Sequence, residues 1–219
     1  METSQSVRIE QPGLQLAGDL SLPPKAAGLV LFAHGSGSSR FSSRNRAVAR
    51  QLNQAGLATL LLDLLTADEE IIDARTAELR FDIPLLAGRL IGTVDWLAGQ
   101  ARLATLPIGL FGASTGAAAA LITAAERPRR VAAVVSRGGR PDLALPVLDR
   151  VQAPTLLIVG GHDREVLALN REALAALAGP KALDIVPGAT HLFEEPGALD
   201  QVARLAGDWF LRHLQPATP

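Results

Sequence analysis

Two periodicities alternate along this chain. From Val7 to Glu10, and again from Leu14 to Leu20, apolar and polar residues take turns, and Pro12-Gly13 separates the two stretches. That pattern predicts an antiparallel hairpin with one buried face. Beyond Pro23-Pro24 the alternation gives way to short apolar runs at Ala27 to Ala33, Ala58 to Leu62, Ile108 to Phe111, Val131 to Val135, Thr155 to Val159 and Leu183 to Val186. Such runs suit strands covered on both faces. Helical spacing fills most of the intervals: Asn45 to Gln54, Ile83 to Leu97, Ala117 to Glu126, a short piece at Leu143 to Leu148, Arg164 to Leu177 and Leu199 to Leu214. Strands and helices in alternation require a mainly parallel sheet with helices on both faces. The prediction is therefore a three-layer α/β fold, one domain over residues 1–219 with a disordered tail at 215–219. Leu64 to Asp82 reads as a longer polar excursion, fit to form a mobile wall of a pocket.

Composition narrows the function classes. At 219 residues and 48% hydrophobic content the chain suits one well-buried core, and the net charge is −1. Lys25 and Lys181 are the only lysines among 21 basic residues, which form no stripe of the kind a nucleic-acid surface needs. Nucleic acid is not an expected partner. With no cysteine the chain has no disulfide and no thiolate metal ligand, and neither a signal-like start nor an apolar stretch of membrane-spanning length is present. The expectation is a cytoplasmic protein without membrane contact, metal or cofactor.

In an open α/β sheet, reactive groups gather beyond the C-terminal ends of the strands. Four polar loops lie there. The first follows Ala33 as His34-Gly35-Ser36-Gly37-Ser38-Ser39-Arg40; the second is Gly112-Ala113-Ser114-Thr115-Gly116, between an apolar run and an alanine-rich helix. The third is Gly160-Gly161-His162-Asp163 and the fourth Pro187-Gly188-Ala189-Thr190-His191. Gly-x-Ser-x-Gly between strand and helix reads as a nucleophile elbow, where a sharp turn exposes the serine hydroxyl and small neighbours leave room for it. The chain order is then serine, aspartate, histidine.

On these residues the chain resembles the α/β-hydrolase superfamily, and within it the small dienelactone hydrolase-like esterases. The resemblance implies an α/β-hydrolase fold with no large cap domain, and a triad of Ser114, Asp163 and His191. Dienelactone hydrolases proper carry a cysteine nucleophile, so Ser114 points to a general serine esterase acting on a small-molecule ester. Serine needs a base within hydrogen-bond reach and a third group to hold that base's tautomer. His191 and Asp163 fill those roles, with Asp142, Asp184 and Glu194 as weaker substitutes for the acid. The residue after the nucleophile supplies one backbone oxyanion donor, here Thr115, and in related hydrolases the residue after His-Gly supplies the other, here Ser36.

Each residue also has a structural use. Ser114 and Asp163 can serve as helix N-caps, His191 as an ordinary loop residue, and His34 as a brace for its turn. Arg137, at the end of its strand, can hold a substrate carboxylate or form an ion pair with Asp142 or Asp63. The glycine-rich loop at His34 lacks the third glycine of a dinucleotide fingerprint and the lysine of a phosphate-binding loop. Acyl transfer, peptide cleavage and ligand capture without turnover share the same constellation.

Overall fold

The computed structural model describes residues 4–214. Eight strands form one sheet in the order β1-β2-β4-β3-β5-β6-β7-β8. β1 (Ser4–Gln11) and β2 (Leu14–Ser21) make the N-terminal hairpin, in register from Ser4 opposite Ser21 to Gln11 opposite Leu14. β2 pairs antiparallel with β4 (Ala58–Leu62). β3 (Leu29–Ala33), β4, β5 (Ile108–Ala113), β6 (Val131–Arg137), β7 (Thr155–Gly160) and β8 (Lys181–Val186) then pair parallel.

Six α-helices accompany these strands: α1 (Ser43–Gln54), α2 (Ala67–Thr76), α3 (Ile83–Ala98), α4 (Thr115–Glu126), α5 (Arg164–Ala176) and α6 (Ala198–His213). The two-residue period of the strands sorts the core into two layers. Leu29 and Leu31 of β3 and Leu110 of β5 pack with Leu90 of α3 and Ala120 of α4. Val30, Phe32 and Phe111 face the other way, toward Val48 and Leu52 of α1 and Val202 and Phe210 of α6. The Phe32 and Phe111 rings lie 4.8 Å apart at the centre of that second layer. Ala133 and Val135 of β6 belong to it as well, which places Arg137, two residues on, on the same face.

Three elements differ from the sequence expectation. The excursion from Leu64 to Asp82 contains α2 and a 3-10 turn at Leu79–Phe81. Thr66 and Glu69 form a reciprocal capping box that starts α2, yet Asp73 is its only buried residue, so no apolar period marked it as a helix. The short piece expected near Leu143 is a 3-10 run, Pro141–Arg150, interrupted by Pro146. β8 is an edge strand and half exposed, unlike the buried strands it was grouped with. Among the described residues no helix is long and apolar enough to cross a membrane. The expected tail lies outside the described residues.

Candidate active site

The elbow is built by contact that only glycine permits. Ser114 sits at φ 50 and ψ −122 between β5 and α4. A methyl group on Gly112 would lie 2.4 Å from Ala117 Cα, and one on Gly116 would lie 2.3 Å from the Ala33 carbonyl oxygen and 2.5 Å from that of His34. Those clashes explain both glycines. The Ser114 main chain is fixed on the β6 side, donating its N–H to Arg137 O at 3.3 Å and accepting from Arg140 N–H at 3.0 Å. Although Ser114 stands at the N-cap position of α4, its side chain makes no capping hydrogen bond, and its hydroxyl has no partner among the described residues.

Asp163 repeats that exception at α5: it is the N-cap residue and its side chain does not cap. Its Oδ2 instead accepts from His191 Nδ1 at 2.6 Å. The Asp163 side chain is 14% exposed and that of His191 40%, so the acid is sheltered and the imidazole partly open to solvent. Donation from Nδ1 leaves Nε2 free to accept a proton. His191 Cε1 rests over Gly138, 3.5 Å from where a methyl group there would stand, at the strand end next to Ser114. The His191 loop is tied by Glu195 Oε1, which accepts from Thr190 N–H at 3.0 Å and from its hydroxyl at 2.6 Å. The Thr190 hydroxyl bond holds the Glu195 carboxyl below its ordinary range. Sequence reading did not find this brace, although Thr190 and Glu195 flank His191.

The turn after β3 lies against the elbow, a methyl group on Gly35 falling 3.0 Å from Ser114 Cβ. His34 is buried beneath it, donating from Nδ1 to Gly35 O at 2.9 Å and accepting Leu64 N–H on Nε2 at 3.1 Å. Burial lowers its pKa, consistent with a neutral ring. Ser36 N–H finds no acceptor among the described residues. Thr115 is the first residue of α4, where an N–H has no carbonyl a turn earlier to bond. Beside Ser36 a cleft of about 410 Å³ is lined by Phe41, Leu65, Glu70, Asp73 and Arg80, without Ser114 or His191. It borders the site and does not contain it.

Arg137 departs from its expected ion pairs. Asp142 accepts both Arg140 Nε at 2.8 Å and Nη2 at 2.7 Å, while Asp63 takes Arg40 N–H at 2.7 Å and the Arg40 guanidinium. Arg137 is 8% exposed, and its Nε and Nη1 have no hydrogen-bond partner among the described residues. Its Cζ lies 6.0 Å from the centre of the Phe193 ring. Burial, and then the nearby Arg44, push its pKa down to about 10, which still leaves it cationic at neutral pH. Of the other candidates, Glu194 pairs with Arg44 at 3.2 Å, Asp184 lies within β8, and His162 is exposed. Among the described residues no group of three or more His, Cys, Asp or Glu side chains is placed to hold a metal ion.

Comparison with known proteins agrees with this architecture. A crystal structure of a dienelactone hydrolase from Anabaena variabilis ATCC 29413 is 58% identical and superposes with a TM-score of 0.97, over 98% of this chain and 99% of that one. A protein of Mycobacterium tuberculosis (strain ATCC 25618 / H37Rv), provisionally named a phosphoribosyl transferase, is 58% identical over 210 residues, which are 96% of this chain and 46% of that protein. This chain thus spans about half the length of that relative. Est1E from Butyrivibrio proteoclasticus shares the fold alone, at 17% identity and a TM-score of 0.80 over 95% of this chain and 98% of that one. The dienelactone hydrolase family model matches residues 17–215. With that match, and an eight-stranded sheet that carries its polar loops at the strand ends, the chain belongs to the dienelactone hydrolase family and has an α/β-hydrolase fold.

Proposed function

We propose that this protein is a serine hydrolase of small carboxylic esters, lactones and thioesters being variants of the same chemistry. Ser114 Oγ attacks the ester carbonyl while His191 Nε2 takes its proton, and the tetrahedral oxyanion is held by the N–H groups of Ser36 and Thr115. Collapse breaks the bond to the alcohol, which leaves with the proton from His191. Water, deprotonated by His191, then attacks the acyl-Ser114 carbonyl; the carboxylic acid departs, and the proton returns through His191 to Ser114. Asp163 stays ionised and keeps the Nδ1–H tautomer. The cycle consumes ester and water and calls for no metal or cofactor.

The observation that carries this reading is the pair of N-cap side chains that decline to cap. Ser114 and Asp163 both stand where a side-chain oxygen normally satisfies a helix N–H, and neither does so. One is left unbonded at a strained turn and the other is committed to His191. The Ser114 to His191 hydrogen bond is absent among the described residues; such catalytic contacts often tighten only when substrate binds. The transferase name of the Mycobacterium tuberculosis protein belongs to a chain of about twice this length, and the Ser114 geometry favours acyl chemistry.

A fluorophosphonate probe tests the proposal. It should attach once, at Ser114, as read by intact mass and peptide mapping, and Ser114→Ala should abolish labelling. Asp163→Asn should slow ester turnover by about 10³- to 10⁴-fold, because an amide can stabilise the wrong imidazole tautomer. A folded wild-type protein that the probe leaves unlabelled would exclude the mechanism.

A further inference from the structure

We infer that Glu195 is a positioning residue of the reaction: by clamping Thr190 it holds the turn that carries His191, and so sets where the imidazole Nε2 stands relative to Ser114. The inference rests on the esterase reading above, in which His191 is the base.

His191 lies on no helix or strand but in the connection between β8 and α6. Phe193 N–H donates to Thr190 O at 3.2 Å, so His191 and Leu192 are the central residues of a tight turn. One foot of that turn is Phe193, whose ring is buried in the layer that holds Val202 and Phe210 of α6. The other foot is Thr190, which is exposed and has no such packing to fix it. Just before it, Ala189 O accepts His162 N–H at 2.9 Å and ties the chain to the loop of Asp163. What holds Thr190 itself is Glu195. One carboxylate oxygen, Oε1, takes both Thr190 donors, the N–H at 3.0 Å and the hydroxyl at 2.6 Å, while Oε2 is shielded from solvent. The main chain of Glu195 is fixed in turn, its O accepting Ala198 N–H at 3.0 Å where α6 begins. An ionised carboxylate accepts and cannot donate, and hydrogen bonds to it are shorter and stronger than neutral ones.

The imidazole depends on this clamp because its own tether is single. Among the described residues its side-chain hydrogen bond is the one from Nδ1 to Asp163 Oδ2, and one bond leaves a ring free to tilt about that contact. The tilt is then decided by the main chain that presents the ring. Displacing a reacting group by about 1 Å can cost about a hundredfold in rate. The neighbouring Glu194 takes no part in the clamp: its side chain is 66% exposed and pairs with Arg44 at 3.2 Å. A carboxylate on the same loop without contact to Thr190 therefore provides the control.

The test uses the full chain, with p-nitrophenyl acetate hydrolysis, the rate of fluorophosphonate labelling and the thermal midpoint read for each variant. Glu195→Ala, assayed well below its midpoint, should lower kcat/KM and the labelling rate together by about tenfold to a hundredfold. Glu195→Gln keeps an acceptor oxygen and should recover most of that loss. Glu194→Gln should stay within about twofold of wild type. In a His191→Ala background, Glu195→Ala should have no further effect on residual labelling, because a residue that acts through His191 then has nothing to position. Wild-type rates in a folded Glu195→Ala protein, whether or not its midpoint falls, overturn the inference and leave Glu195 a structural staple. An equal loss in the His191→Ala background overturns it too. Should Glu195→Ala fail to fold by circular dichroism, Thr190→Val decides against Thr190→Ser: the first loses the clamped hydroxyl and should be several-fold slower than the second, and equal rates overturn the inference. A wild type that labels and turns over ester while the variants match it sinks this inference alone. A wild type that neither labels nor hydrolyses sinks the esterase reading, and this inference with it.

Discussion

Ser114 and Asp163 occupy positions where serine and aspartate are among the commonest residues for a purely local reason, and both are diverted from it. A helix N-cap satisfied by its side chain contributes about 1 kcal/mol, and here that bond is forgone twice. The compensation is steric and electrostatic: the close approach of α4 to β3 through Gly116, and the 2.6 Å contact of Asp163 with His191. Because a Gly116 methyl would meet two carbonyl oxygens of the main chain rather than a mobile side chain, the backbone would have to move. Gly116→Ala should therefore lower unfolding stability by about 3 kcal/mol or more, read as the urea midpoint multiplied by an unchanged slope. Gly88, a glycine with open space around its α-carbon, provides the control: Gly88→Ala should leave stability unchanged or raise it.

The excursion between β4 and α3 shows how an element without an apolar face is held. α2 is anchored by charge. Arg80 Nε bonds Asp73 Oδ2 at 2.6 Å, its N–H bonds Asp73 Oδ1 at 3.0 Å, and Glu69 pairs with Arg89 of α3. Burial of Asp73 opposes ionisation, but the Arg80 N–H and guanidinium outweigh it and leave the Asp73 pKa below the ordinary value. A carboxyl whose pKa is depressed on folding stabilises the fold above its unfolded pKa of about 3.9, and that contribution disappears as pH falls through the lower folded value. Asp73→Asn should accordingly lower the thermal midpoint by about 2–6 °C at pH 7, with the gap from wild type closing below about pH 4. A gap that does not narrow at all as pH is lowered below about 4 would show that Asp73 acts through packing instead. Since Asp73 and Arg80 line the cleft beside Ser36, the same variant should also loosen that wall.

At the scale of the whole molecule, eight strands share one sheet, and the two core layers are faces of the same strands. Neither layer can be lost alone, because β3 and β5 contribute alternate residues to both. We expect one cooperative unfolding transition, with far-ultraviolet circular dichroism and tryptophan fluorescence giving coincident midpoints. Trp96 and Trp209 make the comparison informative, since α3 carries the first and α6 the second, on opposite faces of the sheet. Separate midpoints would indicate that the faces melt independently. The same sheet gathers the turn after β3, the elbow after β5, Arg137 at the end of β6 and Asp163 after β7 along one edge.

The alternation at the hairpin, the buried runs of β3 to β7 and the glycine-flanked Ser114 were legible in the residues themselves, because buried parallel strands and a strand-to-helix elbow leave local signatures. α2 was not, since its caps and ion pairs hold it without a period, although Thr66-x-x-Glu69 was there to be read. Sequence nominated Asp163 and His191, but their contact joins residues 28 apart, and only the packing of β7 beside β8 brings them together. Arg137 is the clearest division between the two sources. Its place at a strand end came from the sequence, and Arg140, two residues before Asp142, was near enough along the chain to claim that acid. That Asp63 is claimed by Arg40, 23 residues away, and that the Arg137 guanidinium is buried beside Arg44, depend on which side chains tertiary structure brings together, because pairing between charges distant in sequence is settled by proximity in space.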